Sequence, residues 1–200
     1  MNTMIRLSIC VMTIAMAGCQ SLPPVPADKY YRLEAAPGHT SVRPILNEAL
    51  YVAPFRADGS YAERAMLHAS AEKPGELQQY HYQSWIEPPA ILLQGHMRAS
   101  FEAMGIAPRV SDISRNSNAG YLLNARILRL EKITGADNAR AVVALHIALQ
   151  RKNSYDMVLE KSYTAEVAVN DNTQHAYVLA CEAGLAKIYA DFSADLASLK

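Results

Sequence analysis

Residues 121–169 read YLLNARILRL EKITGADNAR AVVALHIALQ RKNSYDMVLE KSYTAEVAV. Tyr121, Leu123, Ala125 and Ile127 alternate with Asn124 and Arg126, the period of a half-buried strand. From Leu128 and Leu130 the apolar phase moves by one residue, which predicts a bulge near Ile127-Leu128. Gly135-Ala136-Asp137-Asn138 is turn chemistry, after which Ala141, Val143, Leu145, Ile147 and Leu149 hold period two opposite Arg140, His146 and Gln150. Lys152-Asn153-Ser154 turns the chain again. Tyr155, Met157, Leu159, Tyr163, Ala165 and Val167 then make a third strand, with Asp156, Glu160, Thr164 and Glu166 opposite. Three such strands on short turns form an antiparallel meander with one apolar and one wet face.

The apolar face needs a cover, and the flanking sequence supplies two helices. From about Asn172 to Leu199, the residues Val178, Cys181, Leu185, Ile188, Phe192, Leu196 and Leu199 recur every three or four positions, a single apolar stripe. Upstream, Pro88-Pro89 opens a helix in which Ala90, Leu93, Met97, Phe101 and Met104 share a face, and Gly105 closes it. Further strands are expected at Tyr30-Tyr31-Arg32-Leu33, at Leu50 to Phe55, through Met66-Leu67-His68, at Leu77 to Trp85 and at Arg109-Val110. Lys73-Pro74-Gly75 reads as a breaker before the fourth of these. Tyr80 and Tyr82 are expected on one face of that strand, with His81 and Gln83 on the other. The expected fold is α+β: a two-layer domain with a mixed, mostly antiparallel sheet and two amphipathic helices on one face. With no internal repeat and no second linker, residues 30–200 are expected to form one domain.

Ahead of that domain, residues 1–18 have the pattern of a bacterial secretory signal. Arg6 supplies a basic start, Leu7 to Met16 an uncharged apolar run, and Ala17-Gly18 two small residues before Cys19. The run is shorter than the roughly 20 apolar residues a spanning helix needs. Ala17-Gly18-Cys19 resembles a lipobox, in which the thiol receives acyl chains (diacylglycerol, palmitate) and the bond before it is cut. Met16 stands where such boxes usually carry Leu, and its similar volume and flexibility suit it to the place. Residues 19–29 contain three prolines and little to bury, so they read as a lipid-anchored extended tether.

Arg6 is the one charged residue of the signal, so the mature part carries 18 basic and 19 acidic side chains with no basic cluster. A nucleic-acid partner is not expected. With Cys10 removed and Cys19 acylated, Cys181 is left without a disulfide partner, and its place on the helix stripe makes it a small buried hydrophobe. Histidines 39, 68, 81, 96, 146 and 175 show neither an HExxH pair nor a Cys/His grouping, so no metal site is expected. His146 and His96 read as ordinary surface and helix residues. No nucleophile elbow, phosphate loop or dinucleotide fingerprint occurs, no cofactor is expected, and the chain is read as no enzyme. Eleven tyrosines stand against three phenylalanines and one tryptophan, a bias that suits surfaces both apolar and wetted. Tyr80, Tyr82 and Trp85 are therefore the candidate partner surface.

The order of parts resembles a known family. A lipobox, a Pro-rich tether, Tyr30-Tyr31-Arg32-Leu33, a strand Leu50-Tyr51-Val52-Ala53-Pro54-Phe55, an aromatic strand ending at Trp85, Pro88-Pro89 before a helix, a meander and a long last helix are similar to the auxiliary lipoproteins of ABC-type transport systems, the PqiC-like family. The resemblance implies a non-catalytic subunit on the periplasmic face of the outer membrane. Its implied partners are a periplasmic MCE-domain protein and, through it, an ABC permease and ATPase that move lipid between the membranes; self-association is left open. The rival reading is a structural or assembly lipoprotein of the envelope unrelated to transport.

Cys19→Ser is expected to abolish incorporation of a fatty-acid probe and cleavage at that position. Because Gln20 rather than Asp follows the cysteine, Gln20→Asp is expected to move the protein from outer-membrane to inner-membrane fractions. Unchanged labelling of the serine variant would rule out acylation at Cys19.

Overall fold

A computed structural model describes residues 25–35, 44–113, 119–136, 138–171 and 173–199. Cys19 and Gln20 lie outside the described residues. The meander is present as β6 (Tyr121–Thr134), β7 (Ala139–Arg151) and β8 (Met157–Val169). β6 and β7 pair antiparallel from Tyr121↔Arg151 to Thr134↔Ala139, with a register shift between Ile127 and Arg129. This is the bulge expected from the change of apolar phase, and it leaves Leu128 38% exposed. Tyr155 departs from expectation: its φ of 60° places it in the turn, not in the third strand.

On its other edge β6 is too long for one neighbour and serves two. Its first residues pair in parallel with β2 (Leu50–Val52), Leu50↔Tyr121 to Val52↔Leu123, and its last with β3 (Ala65–Ser70), His68↔Lys132 to Ser70↔Thr134. β2 carries the short β5 (Val110–Ser111) in parallel. β3 carries β4 (Lys73–Trp85) antiparallel, and β4 carries β1 (Lys29–Tyr31) in parallel. The result is an eight-stranded mixed sheet that forks at β6. Pro74 and Gly75 lie inside β4 rather than breaking the chain before it. The register explains this, since residues 74–77 stand opposite the single residue Ala69 and residues 80–83 opposite Met66. A bulged edge strand needs no regular ladder donor at every position, so proline is tolerated there.

Helix α1 (Pro89–Met104) starts on Pro89 and ends at Gly105, whose φ of 64° is the left-handed closure expected of a C-terminal glycine. Its buried face is Leu92, Leu93, His96, Met97, Ser100 and Phe101. Helix α2 (Gln174–Ser198) begins after Thr173, whose Oγ1 accepts a hydrogen bond from the Ala176 N–H at 3.1 Å. Val178, Cys181, Leu185, Ile188, Phe192 and Leu196 are buried as the stripe requires, while Leu199 is exposed beyond the helix end. Both helices join the meander and β2 in one continuous core. Phe101 stacks on Phe192 at 5.6 Å and meets Tyr189 edge-on at 5.3 Å, so aromatic contacts lock the helices together. At Gly184 a Cβ would lie 3.4 Å from Val143 and 3.6 Å from Ala165, ordinary van der Waals distances that show α2 seated against β7 and β8 there. Asp195 fastens the helix to β8 by accepting from Lys161 Nζ at 2.6 Å and the Tyr163 hydroxyl at 2.8 Å, and these bonds hold its carboxyl below the usual range.

The outer face of the meander is not wet throughout. Near the fork Leu77 of β4 covers Ala69, Ile133 and Val142, a second small apolar cluster. Buried Glu131 accepts hydrogen bonds from the Tyr61 hydroxyl and from Arg129. Both partners are required, because a carboxylate taken from water is costly unless its oxygens are satisfied.

Leu185 sits fully buried in the stripe, whereas Lys187 points outward. Leu185→Ala is expected to cost about 2–5 kcal/mol in denaturant unfolding of the mature chain, against a few tenths for Lys187→Ala. Equal small effects would mean that α2 does not pack on the meander in this way.

Candidate interaction surface

β4 brings the three aromatic residues expected to meet a partner into three different environments. Trp85 pairs with Tyr31 across the β1–β4 ladder and is only 1% exposed. Its ring lies 6.2 Å from that of Tyr177 on α2. Trp85 is thus part of the core and contributes nothing to the surface, a correction to the sequence reading. Trp85 packs between the strand end and the long helix, a location invisible in the strand's own sequence.

Tyr80 and Tyr82 also separate. The bulge at residues 80–83 shifts the alternation, so the two rings do not share a face. Tyr80 turns inward against the core, its ring 4.3 Å from His68. Burial raises its hydroxyl above the usual range, partly offset by the Gln174 side-chain amide, which donates to it. His68 is pushed below the ordinary imidazole value by burial and by the nearby Lys132. Tyr82 alone faces solvent, 42% exposed.

Tyr82 has exposed company from two other segments. In the β1–β4 register Tyr30 stands beside Ser84, two residues along the strand from Tyr82. Tyr30 is 58% exposed, and the Arg64 guanidinium lies 5.3 Å from its ring centroid. Ile86, just past β4, is 42% exposed, and Val25 in the stretch leading to β1 is 81% exposed. The candidate surface is therefore the flank formed by Tyr30, Tyr82 and Ile86, at the point where residues 25–28 enter the sheet. Tyr30 was legible only as part of the tyrosine bias; the parallel pairing that sets it beside β4 has no local sequence signal. Beyond residues 83–85, which β1 covers, the outer edge of β4 has no strand partner among the described residues.

Two other constellations are chemically legible. His146 on β7 faces Ser162 across the ladder, with Nδ1 3.1 Å from the Ser162 Oγ and Nε2 3.0 Å from Glu160. The order Ser-His-Glu invites comparison with a hydrolytic triad. Here it lies on the exposed face of β7 and β8, where the backbone N–H groups are committed to the ladder. The arrangement acts as a cross-strand polar cluster. Between the helices, buried His96 bonds to the Tyr189 hydroxyl at 3.2 Å and to the Glu34 carbonyl at 3.3 Å. Since a carbonyl only accepts, Nε2 carries the proton and Nδ1 accepts from Tyr189. His96 lines a groove of about 520 Å³ with Glu34, Met104 and Leu179, and burial lowers its basicity. It ties the chain after β1 to the helix pair, a structural task not apparent from its place in the helix pattern. Among the described residues no group of His, Cys, Asp and Glu could hold a metal ion, and no helix is long and apolar enough to cross a membrane.

No family model and no curated protein matches the chain. Solved structures share its fold. A DUF330-family protein from Xanthomonas campestris superposes with a TM-score of 0.71 at 21% identity, covering 82% of this chain and 92% of its own. An uncharacterized protein superposes with a TM-score of 0.68 at 13% identity, covering 86% of this chain and 99% of its own. At these identities the likeness is one of fold.

Truncating two aromatics of β4, one buried and one exposed, is expected to separate core from surface. Trp85→Ala should destabilise by about 3–5 kcal/mol, the usual cost of emptying a large buried site. Tyr82→Ala should stay within about 0.5 kcal/mol of wild type. Chemical denaturation measures both, and a Trp85→Ala variant as stable as wild type would show the indole outside the core.

Proposed function

We propose that the chain is a lipid-anchored envelope protein, held through Cys19 at the periplasmic face of the outer membrane, and a non-catalytic auxiliary subunit of an ABC/MCE-type system that moves lipid between membranes. The observation that carries this reading is the coupling of anchor and fold. A lipobox-like Ala17-Gly18-Cys19 is followed by a short Pro-rich stretch that runs directly into β1, and β1 is an integral strand of the sheet. The domain so attached has the fold of a DUF330-family protein along most of its length.

The geometry of attachment supports a docking role. Lys29 lies ten positions after Cys19, and at about 3.1 Å per residue in polyproline conformation that interval would span about 31 Å. A domain on so short a leash stays near the membrane surface. An MCE-domain protein that bridges the periplasm reaches the outer membrane at its far end, where such a domain stands ready to receive it. Several acyl chains hold a protein firmly where one alone gives reversible binding, so the anchor suits a fixed docking point.

The test is purification of the full-length acylated protein in mild detergent, followed by identification of what accompanies it. An MCE-domain protein, with its permease and ATPase, is the expected companion, and deletion of the gene is expected to weaken the barrier to hydrophobic compounds. Wild-type protein that is acylated, folded and free of any MCE protein would overturn the transport reading. A purified chain with hydrolase or transferase activity would favour an enzyme instead.

A further inference from the structure

We infer that the flank formed by Tyr30, Tyr82 and Ile86 docks on the phospholipid surface itself, so that the domain is held in one orientation and does not swing on its tether. The inference rests on the anchored reading above and adds a second, side-chain contact with the membrane. Nothing in the sequence pattern of β4 alone requires it.

The position of the flank carries the argument. Lys29 begins β1, so the last residue of the leash and the first of the sheet are neighbours in the chain, and Tyr30 follows at once. The flank is therefore the point at which the tether enters the domain, within reach of the lipid that holds Cys19. Tyr155, 74% exposed in the turn before β8, belongs to the opposite edge of the sheet. From β1 to β8 the order crosses β4, β3, β6 and β7, which at about 4.8 Å per strand places the two edges more than 20 Å apart.

The chemistry of the flank favours lipid over a protein strand. Tyrosine, with an apolar ring and a polar tip, is suited to the headgroup layer, and isoleucine to the acyl boundary just beneath it. The rim holds both signs of charge, with Lys29, Arg32 and Arg64 against Asp28, Glu63 and Glu87, all exposed. Such a rim matches zwitterionic headgroups and gives no particular attraction to a polyanion. A protein strand added to β4 would need a regular edge, and the bulges opposite Met66 and Ala69 deny it one.

The protein's own cysteines leave room for a clean measurement. Cys181 is fully buried and its thiol is pushed up to about 12 by burial, so it does not react with surface labels, and Cys19 is blocked by acylation in the anchored reading. His81→Cys and Tyr155→Cys each place one reactive thiol on the surface of the mature acylated chain. Each labelled protein is reconstituted into phosphatidylethanolamine–phosphatidylglycerol vesicles containing headgroup-nitroxide lipid, and flotation shows attachment. Fluorescence quenching at position 81 is expected to exceed that at position 155 several-fold. Tyr30→Ser/Tyr82→Ser in the His81→Cys background is expected to bring quenching down to the level of position 155, while flotation and capture of the MCE protein stay at wild-type level.

The outcomes separate the two readings. Protein that fails to float overturns the anchor and this inference with it. Protein that floats with equal quenching at both positions overturns the docking alone. Strong quenching at position 81 that survives loss of both tyrosines would show proximity through the tether only, and this too contradicts the inference. Loss of MCE capture with quenching unchanged would assign the flank to the protein partner instead.

Discussion

The burial of one apolar face of the meander under α2 is the interaction on which everything else depends. β6, β7 and β8 are long strands with short turns, and they present Leu123, Leu145, Ile147 and Ala165 on one side. Left open, that face would cost stability at about 25 cal/mol for each Å² of apolar surface kept in water. The final helix covers it with a stripe running from Val178 to Leu196, closely seated at Gly184 and fastened at its end by Asp195. α1 then packs through Phe101 against the same helix. Remove α2, and the apolar face of the sheet loses its cover and Phe101 of α1 its aromatic partners.

A rigid centre of this kind leaves the periphery free to be irregular. β6 spends its second edge on two short parallel strands, and the branch through β3 ends in β4, whose thirteen residues run against six of β3. The bulges that absorb the excess turn Tyr80 inward and Tyr82 outward, and they spoil the edge as a template for another strand. β1 then closes the last part of that edge, at residues 83–85. The exposed tyrosines and the irregular edge thus lie together because one strand is longer than its neighbour. The meander carries the core, and the β1–β4 flank carries the exposed aromatics.

What could be read from the sequence follows the range of the interactions involved. The shift of apolar phase at Ile127-Leu128 predicts a bulge because register is local to two adjacent strands, and the structure has it there. The helix stripes and the Gly105 terminus were equally legible, since spacing along one element decides them. Trp85 was not, because whether a strand-end aromatic faces solvent or a helix depends on a partner, Tyr177, far along the chain. Pro74-Gly75 signals a break in isolation, yet a bulged edge strand accommodates both. His96 has no distinguishing neighbours in sequence and acquires its role from Glu34 and Tyr189. Of the candidate surface, Tyr82 was legible and its grouping with Tyr30 and Ile86 was not, since a parallel pairing joins segments with no shared pattern.

Native-state hydrogen exchange on the mature chain, resolved to single amides, tests most directly the division between a rigid meander and a loosely held flank. Amides of β6, β7 and the middle of α2 are expected to exchange slowest and together, at the free energy of global unfolding, because they open only when the common core does. Amides of residues 73–82 are expected to exchange faster by at least about a hundredfold, through local opening of the bulged β4. If residues 73–82 were protected as strongly as β6 and β7, β4 would be an integral strand of the core, and the account of a stable centre bearing an adaptable contact flank would be wrong.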